Sequence, residues 1–243
     1  MNKTTSFLSV TGILLISLST LAATYLTVDY NPDRPLAMVR RFKPDVIIKD
    51  NNEWIEARKA QPLFSSDTLR TGKDGHAVVQ FMDNSIARLK PYTELVITGN
   101  IKSANSTSAR MAVEAGEIFL NVTGQQSDYA VITPTGVAAV KGTSFITKVE
   151  ADGSTSFTGL SGMIEVTATN SGDVVNITRR DRAHIDQDGN TISVTQISEE
   201  ELDNMEKDNE EIDDVTTPKK MKLRFRNSDG QVREIEIDYF END

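Results

Sequence analysis

The stretch that decides the fold is TPTGVAAVKGTSFIT, residues 133–147, which is compatible with two different structures. Gly136 and the run Lys141-Gly142-Thr143 nearly match a phosphate-binding P-loop, in which a lysine follows the second glycine and a helix then begins. In this chain Lys141 precedes Gly142, and the next residues, SFITKV, have the composition of a β-strand. A phosphate would find no helix N-terminus here, so the sequence predicts no nucleotide site.

A turn followed by a strand explains the same residues better. The run TPTG, residues 133–136, should end a first strand, YAVIT, and residues 137–149 should return through the core as a second strand. In that strand Gly142 permits a bulge or a close backbone approach. Because successive side chains of a strand point to opposite faces, we expect Phe145 on one face and Ile146 on the other.

Apolar and polar residues alternate from position 38 to about position 197, which predicts an all-β domain. Turn signals recur at close spacing: KDG at 73–75, EAG at 114–116, DG at 152–153 and DG at 188–189. Many short strands separated by such turns indicate an antiparallel two-sheet sandwich or roll. A β-solenoid is the alternative, but no fixed repeat period supports it.

The start of the chain has the character of an export signal or a membrane anchor. Residues 7–26 are apolar and uncharged, with Lys3 before them and Asp29 after them. About 20 apolar residues can span a bilayer, so residues 1–27 are either a cleaved signal peptide or an uncleaved inner-membrane anchor. Both place the remainder in the periplasm, with membrane contact only through this segment. Residues 28–37 are predicted to be a linker.

Charge and cysteine content exclude several classes of site and partner. The chain has no cysteine, which rules out disulfides, thiolate metal sites and a cysteine nucleophile. Its net charge is −10, and residues 198–215 supply −9 of this through ten acids and one lysine. The remainder is nearly neutral and no segment of it looks like the basic surface that binds nucleic acid, so we expect no nucleic-acid partner.

The acidic segment, residues 198–218, is predicted to be a helix or linker. Ser198 followed by Glu201 is a capping-box pattern, and acids are favoured in the first turn of a helix. Only a thin apolar stripe follows, made of Leu202, Met205, Asn209 and Ile212. The sequence favours a solvated, loosely docked linker helix over a helix that binds a partner.

Residues 219–243 are predicted to form a β-hairpin. Basic and apolar residues alternate in KKMKLRFR, acidic and apolar residues alternate in EIEIDYF, and the turn run SDG lies between them. Antiparallel pairing would give one apolar face and one face of cross-strand ion pairs. A lone hairpin is marginally stable in water, so its apolar face should dock, on its own sandwich in preference to a partner protein.

No pattern predicts a catalytic, cofactor or metal site, and we do not expect an enzyme. His76 and His184 could form a metal pair only if the fold joined them, and because each lies near an Asp-Gly turn signal, we interpret them as surface turn residues. DQDGN, residues 186–190, lacks the glycine and glutamate positions of a calcium loop and is interpreted as a tight turn. The G-x-S-x-G elbow of hydrolases is absent. The single tryptophan, Trp54, is interpreted as a buried anchor.

Several segments, taken in order along the chain, resemble the FecR domain family. They are WIEA from Trp54, SSDTLRTGKDGHAVVQFMDNSIARLKPYTELVI from Ser65, EAGEIFLNV from Glu114, TPTGVAAVKGTSFIT from Thr133 and GLSGMIEV from Gly159. The resemblance covers about residues 46–166 and includes the T-G turn, the F-x-D-G-S strand-turn and the T-P segment of that family. Ser66, Asn84 and Gly136 depart from the pattern, but each is small or compatible with a turn, so the fold is expected to hold.

The resemblance implies a FecR-like β domain, which we place at residues 38–197. It also implies a non-catalytic module of the cell envelope that senses or transmits a signal through a protein partner or ligand. The alternative is a structural or assembly component of the envelope. Iron-sensing members of the family carry a cytoplasmic anti-sigma segment before the membrane helix. Here residues 1–6 precede the apolar stretch, so control of a sigma factor is not expected.

Overall fold

The computed structural model describes residues 34–50, 52–103, 106–123, 126–215, 219–226 and 232–239. All of them belong to one compact unit, Asn31–Asp243. The predicted signal peptide or anchor at residues 1–27 lies outside the described residues, as does most of the predicted linker. In the described part of the chain, no helix is long and apolar enough to cross a membrane.

The described residues are mostly β-structure, because the short alternating segments each form a strand. In chain order the strands are β1 Ala37–Phe42, β2 Val46–Asp50, β3 Glu53–Glu56, β4 Pro62–Leu63, β5 Thr68–Thr71, β6 Ala77–Phe81, β7 Ile86–Leu89, β8 Glu94–Ser103, β9 Ser106–Asn121, β10 Asp128–Ile132, β11 Gly136–Val140, β12 Ser144–Val149, β13 Thr155–Ser161, β14 Ile164–Ala168, β15 Val174–Ile177, β16 Asp181–Ile185, β17 Ile192–Gln196, β18 Lys219–Arg226 and β19 Val232–Tyr239. One helix, α1 (Glu199–Val215), lies between β17 and β18.

Two sheets share the long strand β9. Sheet A has the order β4-β1-β6-β7-β9-β12-β13-β16-β17. Sheet B has the order β3-β2-β5-β8-β9-β10-β11-β14-β15. Among these described strands every neighbouring pair is antiparallel except β9–β10, which is parallel. The predicted all-β, two-sheet antiparallel arrangement is therefore confirmed, with one parallel pair in addition.

The hydrophobic core fills the space between the two sheets. Sheet A contributes Phe81 and Phe145, and sheet B contributes Leu95 and Ile97, all of them essentially inaccessible to solvent. Because side chains alternate along a strand, each strand buries one face here and turns the other outward. The prediction for Phe145 is confirmed, since it lies in this core whereas Ile146 packs on the outer face of sheet A.

Strand β9 changes sheet at Gly116. Residues 106–115 pair with β8 in sheet B, and residues 116–121 pair with β12 in sheet A. Gly116 has a φ of +89°, and a Cβ atom at this position would lie 2.5 Å from the Cα atom of Thr93. The turn predicted at the run EAG is therefore wrong. The chain bends at this glycine without reversing, because the strand continues into the other sheet.

Two threonines fix the loop between β7 and β8, residues 90–93, which packs against this bend. The Thr93 hydroxyl donates to the carbonyl of Glu117 and accepts from its N–H group, both at 3.1 Å. The Thr71 hydroxyl donates to the carbonyl of Lys90 at 2.7 Å and accepts from the N–H group of Thr93 at 2.8 Å. Because these bonds satisfy buried polar groups, the loop cannot move without breaking them. The T-G and P-x-T runs that contain these threonines thus have a structural role.

A buried carboxylate joins the turn between β6 and β7 to the start of β10. Asp83 accepts hydrogen bonds from the Ser127 and Tyr129 hydroxyl groups and from the N–H group of Ser85. Burial raises the pKa of the Tyr129 phenol well above its ordinary value, so the phenol remains a donor. Asn84 lies between Asp83 and Ser85 in this turn and has a φ of +67°, a conformation that asparagine tolerates. The D-N-S run is therefore a structural anchor.

The chain crosses from sheet B to sheet A at the run KGT, residues 141–143. Strand β11 pairs in sheet B and strand β12 pairs in sheet A. The predicted single strand over residues 137–149 is therefore wrong. The sequence does not reveal the crossing, because strand-forming residues lie on both sides of it. Gly142 supplies the backbone conformation for the crossing with a φ of +61°. The segment that follows is a strand, as predicted.

Substitutions at this crossing should separate the roles of its glycine and its lysine. Gly142→Val should destabilise the protein by about 2 kcal/mol or more, because a β-branched residue is strained at positive φ. Lys141→Ala should change stability by less than about 0.5 kcal/mol. The Lys141 side chain is 67% exposed, and its ammonium pairs with Asp128 at the surface. Urea denaturation measures both, and a larger loss from the lysine change would contradict this account.

The backbone of β18 and β19 forms the predicted C-terminal hairpin. Its register places Lys222 opposite Glu236 and Arg224 opposite Glu234. Opposite charges in such cross-strand pairs favour this register over its neighbours. The docking of the hairpin's apolar face concerns side chains outside the described set and stays a prediction.

Candidate functional site

Helix α1 begins at a capped turn beside sheet A. The Ser198 hydroxyl accepts the N–H group of Glu201, and the Ser198 carbonyl accepts the N–H group of Leu202, both at 3.1 Å. The first bond satisfies an N–H group that the start of a helix leaves unpaired. Glu199 and Glu200 also lie in the first turn, where the helix dipole favours negative charge. The predicted helix start is thus confirmed.

One side of α1 packs on the outer face of sheet A. Leu202 is fully buried there. It belongs to a small apolar cluster, which consists of Phe119, Ile146, Leu160, Ile197, Leu202 and Met205. Burial of one leucine side chain contributes about 2 kcal/mol. The N-terminal half of α1 is therefore held more firmly than the loosely docked linker helix that the sequence favours.

Arginines that follow β15 pair with the acids of α1. Arg179 binds Glu199 and Glu206, each at 2.8 Å, and Arg182 binds Glu201 at 2.7 Å. The Arg179 guanidinium holds the pKa of Glu199 below its ordinary value, so this acid stays charged. These groups are exposed to a large extent, and such pairs contribute little to stability. Their main effect is to set the orientation of the helix on the sheet.

A concave space remains between α1 and sheet A, and we name it the helix cleft. Its volume is about 420 Å³. The residues that line it include Arg88, Phe119, Leu160 and Arg179 on the sheet side and Glu206, Asn209 and Glu210 on the helix side. The Arg88 guanidinium lies over the Phe119 ring, 5.0 Å from its centre, in a cation–π contact. The cleft thus combines an apolar floor with charged and polar walls.

Asn209 is buried where α1 meets the cleft, with 3% of its surface exposed. Its Nδ2 atom donates to the Met205 carbonyl at 2.7 Å. Because a carbonyl oxygen only accepts hydrogen bonds, the side-chain atom of Asn209 that faces it is the nitrogen. Its Oδ1 atom is buried and has no hydrogen-bond donor within the described residues. The sequence places Asn209 in the apolar stripe of the helix but does not show this unpaired oxygen. An amide in an otherwise apolar stripe was the signal that could have revealed it.

The opposite side of α1 carries acids that face solvent. Glu200, Asp203 and Asp208 are exposed. Among the residues whose side chains the structure describes, none forms an ion pair with any of the three. Acids so placed create a negative surface that attracts basic groups over about 10 Å at moderate salt. The helix therefore has a docked face and a free acidic face.

A second groove of about 360 Å³ lies on the outer face of sheet B. Asp128 at its rim pairs with Lys102 and Lys141, and these lysines lower the pKa of the Asp128 carboxyl. Among the described residues that line this groove, none carries a buried side-chain atom without a hydrogen bond. In the helix cleft, Asn209 carries such an atom, so the cleft is the better candidate for a ligand site.

The two histidines are not brought together. His76 precedes β6 and His184 lies within β16, with β7, β9, β12 and β13 between them in sheet A. Burial, together with the positive charges of Lys43 and Lys90, lowers the pKa of the His76 imidazole. His184 is exposed, and its Nδ1 atom lies 3.1 Å from the Ser156 hydroxyl. The interpretation of His184 as a turn residue is wrong, because β16 continues through it.

The run DQDGN forms the tight turn between β16 and β17, as predicted. The Asp186 carboxylate accepts the N–H groups of Asn190 at 2.8 Å and Thr191 at 3.2 Å. These backbone hydrogen bonds lower the pKa of the Asp186 carboxyl. Across the described ranges, no group of three or more His, Cys, Asp or Glu residues is arranged to hold a metal ion. The turn therefore uses its carboxylate to close its own backbone.

The interpretation of Trp54 as a buried anchor is wrong. Its side chain lies on β3, an edge strand of sheet B, and 39% of its surface is exposed. The neighbouring residue Ile55 packs against the core, so strand alternation places the tryptophan outside. The Arg70 guanidinium covers the indole at 4.4 Å from the ring centre. A cation–π contact thus replaces core packing at this position.

Removal of the Leu202 side chain should release α1 from sheet A. Leu202→Ala deletes a fully buried side chain and should destabilise the docked helix by about 2 to 3 kcal/mol. We expect faster amide hydrogen exchange over residues 199–210, with unchanged exchange in β12. Hydrogen exchange followed by mass spectrometry measures both segments in one experiment.

Arg179→Ala provides the comparison for that result. This variant removes two exposed ion pairs, so we expect a smaller acceleration that disappears in high salt, where the pairs are already screened. If Leu202→Ala left the exchange of residues 199–210 unchanged, the apolar cluster would not be what holds the helix.

Comparison with known proteins finds a family match in the central part of the chain. Residues 67–165 match the family model described as FecR protein. No curated protein matches the chain. Two crystal structures of a candidate anti-sigma factor from Parabacteroides distasonis, at 1.65 and 2.50 Å resolution, share 18% and 19% sequence identity with it, with TM-scores of 0.48 and 0.45. The matches cover 57% and 55% of this chain and 63% and 60% of those chains, which is less than two thirds of their length.

Proposed function

We propose, from the premise that residues 67–165 form a FecR domain, that this chain is a non-catalytic sensing module of the cell envelope that acts through a protein partner. The FecR match supports a role in signal transduction. The observation that carries the proposal is helix α1, which docks by one face and leaves an acidic face free. A helix held in this way can contact a second protein without unfolding the sandwich.

The division of the chain supports this assignment of roles. Phe119, Ile146 and Leu160, which form the floor under α1, lie inside the FecR match, whereas Arg179 and Leu202 lie beyond it. The FecR region therefore acts as a rigid scaffold. The part of the chain that follows supplies the arginines, the helix and its acidic surface.

The location in the envelope rests on the first residues of the chain. Residues 7–26 are apolar and uncharged, which supports export to the periplasm with either an anchor or a cleaved signal. The intact mass of the mature protein distinguishes these two forms. A mass that lacks about the first 23 residues would indicate cleavage, and the full mass would indicate an anchor.

Charge reversal on the free face of α1 tests the proposal. The triple variant Glu200→Lys, Asp203→Lys and Asp208→Lys should lose a partner that chemical crosslinking in intact cells captures with the wild type. The matched control reverses three exposed acids on sheet B, through Glu53→Lys, Glu114→Lys and Glu165→Lys, with the same change in net charge. Loss of the partner in both variants, or in neither, would contradict a contact through α1.

The C-terminal hairpin favours a second candidate, a structural or assembly component of the envelope. Strands β18 and β19 pair a basic segment with an acidic one, and a hairpin of this kind gains stability when it docks. Strand addition to a partner would be one way to dock. A stable, stoichiometric complex that persists without any stimulus would favour assembly, whereas a conditional contact would favour sensing.

A further inference from the structure

Asn209 occupies a position of α1 where an apolar side chain would pack without an unpaired atom. Its neighbours on the docked face are Leu202 and Met205, both in the apolar cluster. Asn209 lines the helix cleft, and its Oδ1 atom is buried and has no donor within the described residues. Such a group lowers stability, and a bound molecule that supplies the missing partner is one explanation for its presence.

The helix cleft has the size and the lining of a site for a small polar molecule. Its volume of about 420 Å³ lies within the range of roughly 300 to 1,000 Å³ that is usual for ligand pockets. Arg88 and Arg179 contribute two positive charges to its walls, and Glu206 and Glu210 contribute two negative charges. Because the charges of the described lining residues sum to zero, these residues offer a charged ligand no net opposite charge, and a neutral ligand is favoured.

We infer that the helix cleft binds a neutral, polyhydroxylated molecule of one or two sugar rings. A hydroxyl group both donates and accepts hydrogen bonds, so one can donate to the Asn209 Oδ1 atom while others meet the charged walls. The Glu210 carboxylate is exposed and is an acceptor at the same wall. Phe119 and Leu160 provide the apolar surface that suits the C–H groups of a sugar ring.

Such a ligand bridges two elements of the protein. Asn209 and Glu210 belong to α1, whereas Phe119 and Leu160 belong to sheet A. A molecule that binds only when both walls are in place stabilises the docked helix by mass action. This inference concerns a small ligand and holds whether or not α1 also contacts a protein partner.

Titration of the full chain with sugars tests the inference. The protein is kept in a detergent without a sugar head group and is titrated with glucose, N-acetylglucosamine and cellobiose. Glutamate, succinate and spermidine serve as charged comparisons. Ligand-observed NMR follows binding, and hydrogen exchange follows residues 199–210. We expect saturable binding of at least one sugar, slower exchange of the helix with that sugar, and no comparable binding of the charged probes.

Asn209→Leu is the variant that decides between a ligand site and a packing defect. It should weaken sugar binding by at least about tenfold and leave the melting temperature equal or higher, because it removes the unpaired amide. Asn176→Leu, at an exposed position of strand β15, should leave both quantities unchanged. If Asn209→Leu fails to fold, Glu210→Ala replaces it, since removal of this exposed acid should weaken binding without affecting the fold.

Three results would overturn the inference. The first is the absence of saturable binding for all three sugars at millimolar concentration. The second is equal sugar affinity in the wild type and in the cleft variants. The third is tighter binding of a charged probe than of any sugar, which would show that the balanced charges of the cleft do not select a neutral ligand.

Discussion

Gly116→Ala should destabilise the protein by about 3 to 5 kcal/mol, which is enough to unfold a marginally stable domain. A Cβ atom at this position would lie 2.4 Å from the Thr93 Oγ1 atom and 2.6 Å from the Tyr92 carbonyl oxygen. Backbone atoms must then move, and the positive φ of Gly116 adds further strain. Because β9 belongs to both sheets, the displacement affects both. Urea denaturation followed by circular dichroism measures the loss.

Gly153→Ala is the matched control for that substitution. Gly153 has a φ of +88°, against +89° for Gly116, but no atom lies within 4 Å of its hypothetical Cβ atom. The control therefore carries the same backbone strain without the steric clash, and its cost should be about 1 to 2 kcal/mol. Equal losses in the two variants would show that the crowding at Gly116 has no energetic consequence.

Asp83→Ala should cost about 3 to 5 kcal/mol, because it leaves several buried donors without an acceptor. The carboxylate accepts from the Ser127 and Tyr129 hydroxyl groups and from the Ser85 N–H group, and only 6% of the residue is exposed. Tyr129→Phe removes one donor and leaves the other bonds in place, so its cost should be smaller, about 1 to 2 kcal/mol. Thermal and urea denaturation rank the two variants.

Asp152→Ala is the control for the loss of an aspartate from a turn. Asp152 also accepts the N–H group of the residue two positions later, Ser154, and in addition the Ser154 hydroxyl group. Asp152 is exposed and its side chain accepts only from Ser154 among the described residues, so its loss should cost clearly less than that of Asp83. If Asp152→Ala were as costly as Asp83→Ala, the buried network would not be the source of the effect.

The strands and the C-terminal hairpin were predictable because local alternation determines them. Residues such as Leu95 and Ile97 recur at a period of two, and a sheet that buries one face requires that period. The hairpin was predictable because basic and acidic runs flank a turn signal. Pairing partners such as β9 and β10 were not predictable, since they depend on residues that are far apart in sequence and on the bend of β9.

The wrong predictions share a physical cause. A glycine after Glu-Ala is compatible with a turn or with a bend, and only the neighbouring Thr93 shows that Gly116 is a bend. A run of strand formers on both sides of Gly142 conceals a crossing between sheets. Trp54 is large and apolar, yet it sits on an edge strand where Arg70 covers it. In each case the outcome depends on tertiary neighbours.

The candidate site was only partly visible in the sequence. The capping residue Ser198 and the acids of α1 follow from local rules. Arg179 and Arg182, which form ion pairs with those acids, lie in the loop after β15 and in β16. No local sequence pattern links these arginines to the helix. The cleft itself exists only because α1 folds back over sheet A. The cleft can therefore be recognised only from the three-dimensional structure.

The central claim is that the free acidic face of α1 contacts a protein partner in the envelope. A photo-crosslinking amino acid at Asp203, on that face, tests it most directly in living cells, with Glu165 on sheet B as the control position. Both residues are exposed. The account predicts a crosslinked protein from position 203 that changes in amount with the cell's conditions, and none from position 165. The same crosslinked protein from both positions, or none from position 203, would contradict it.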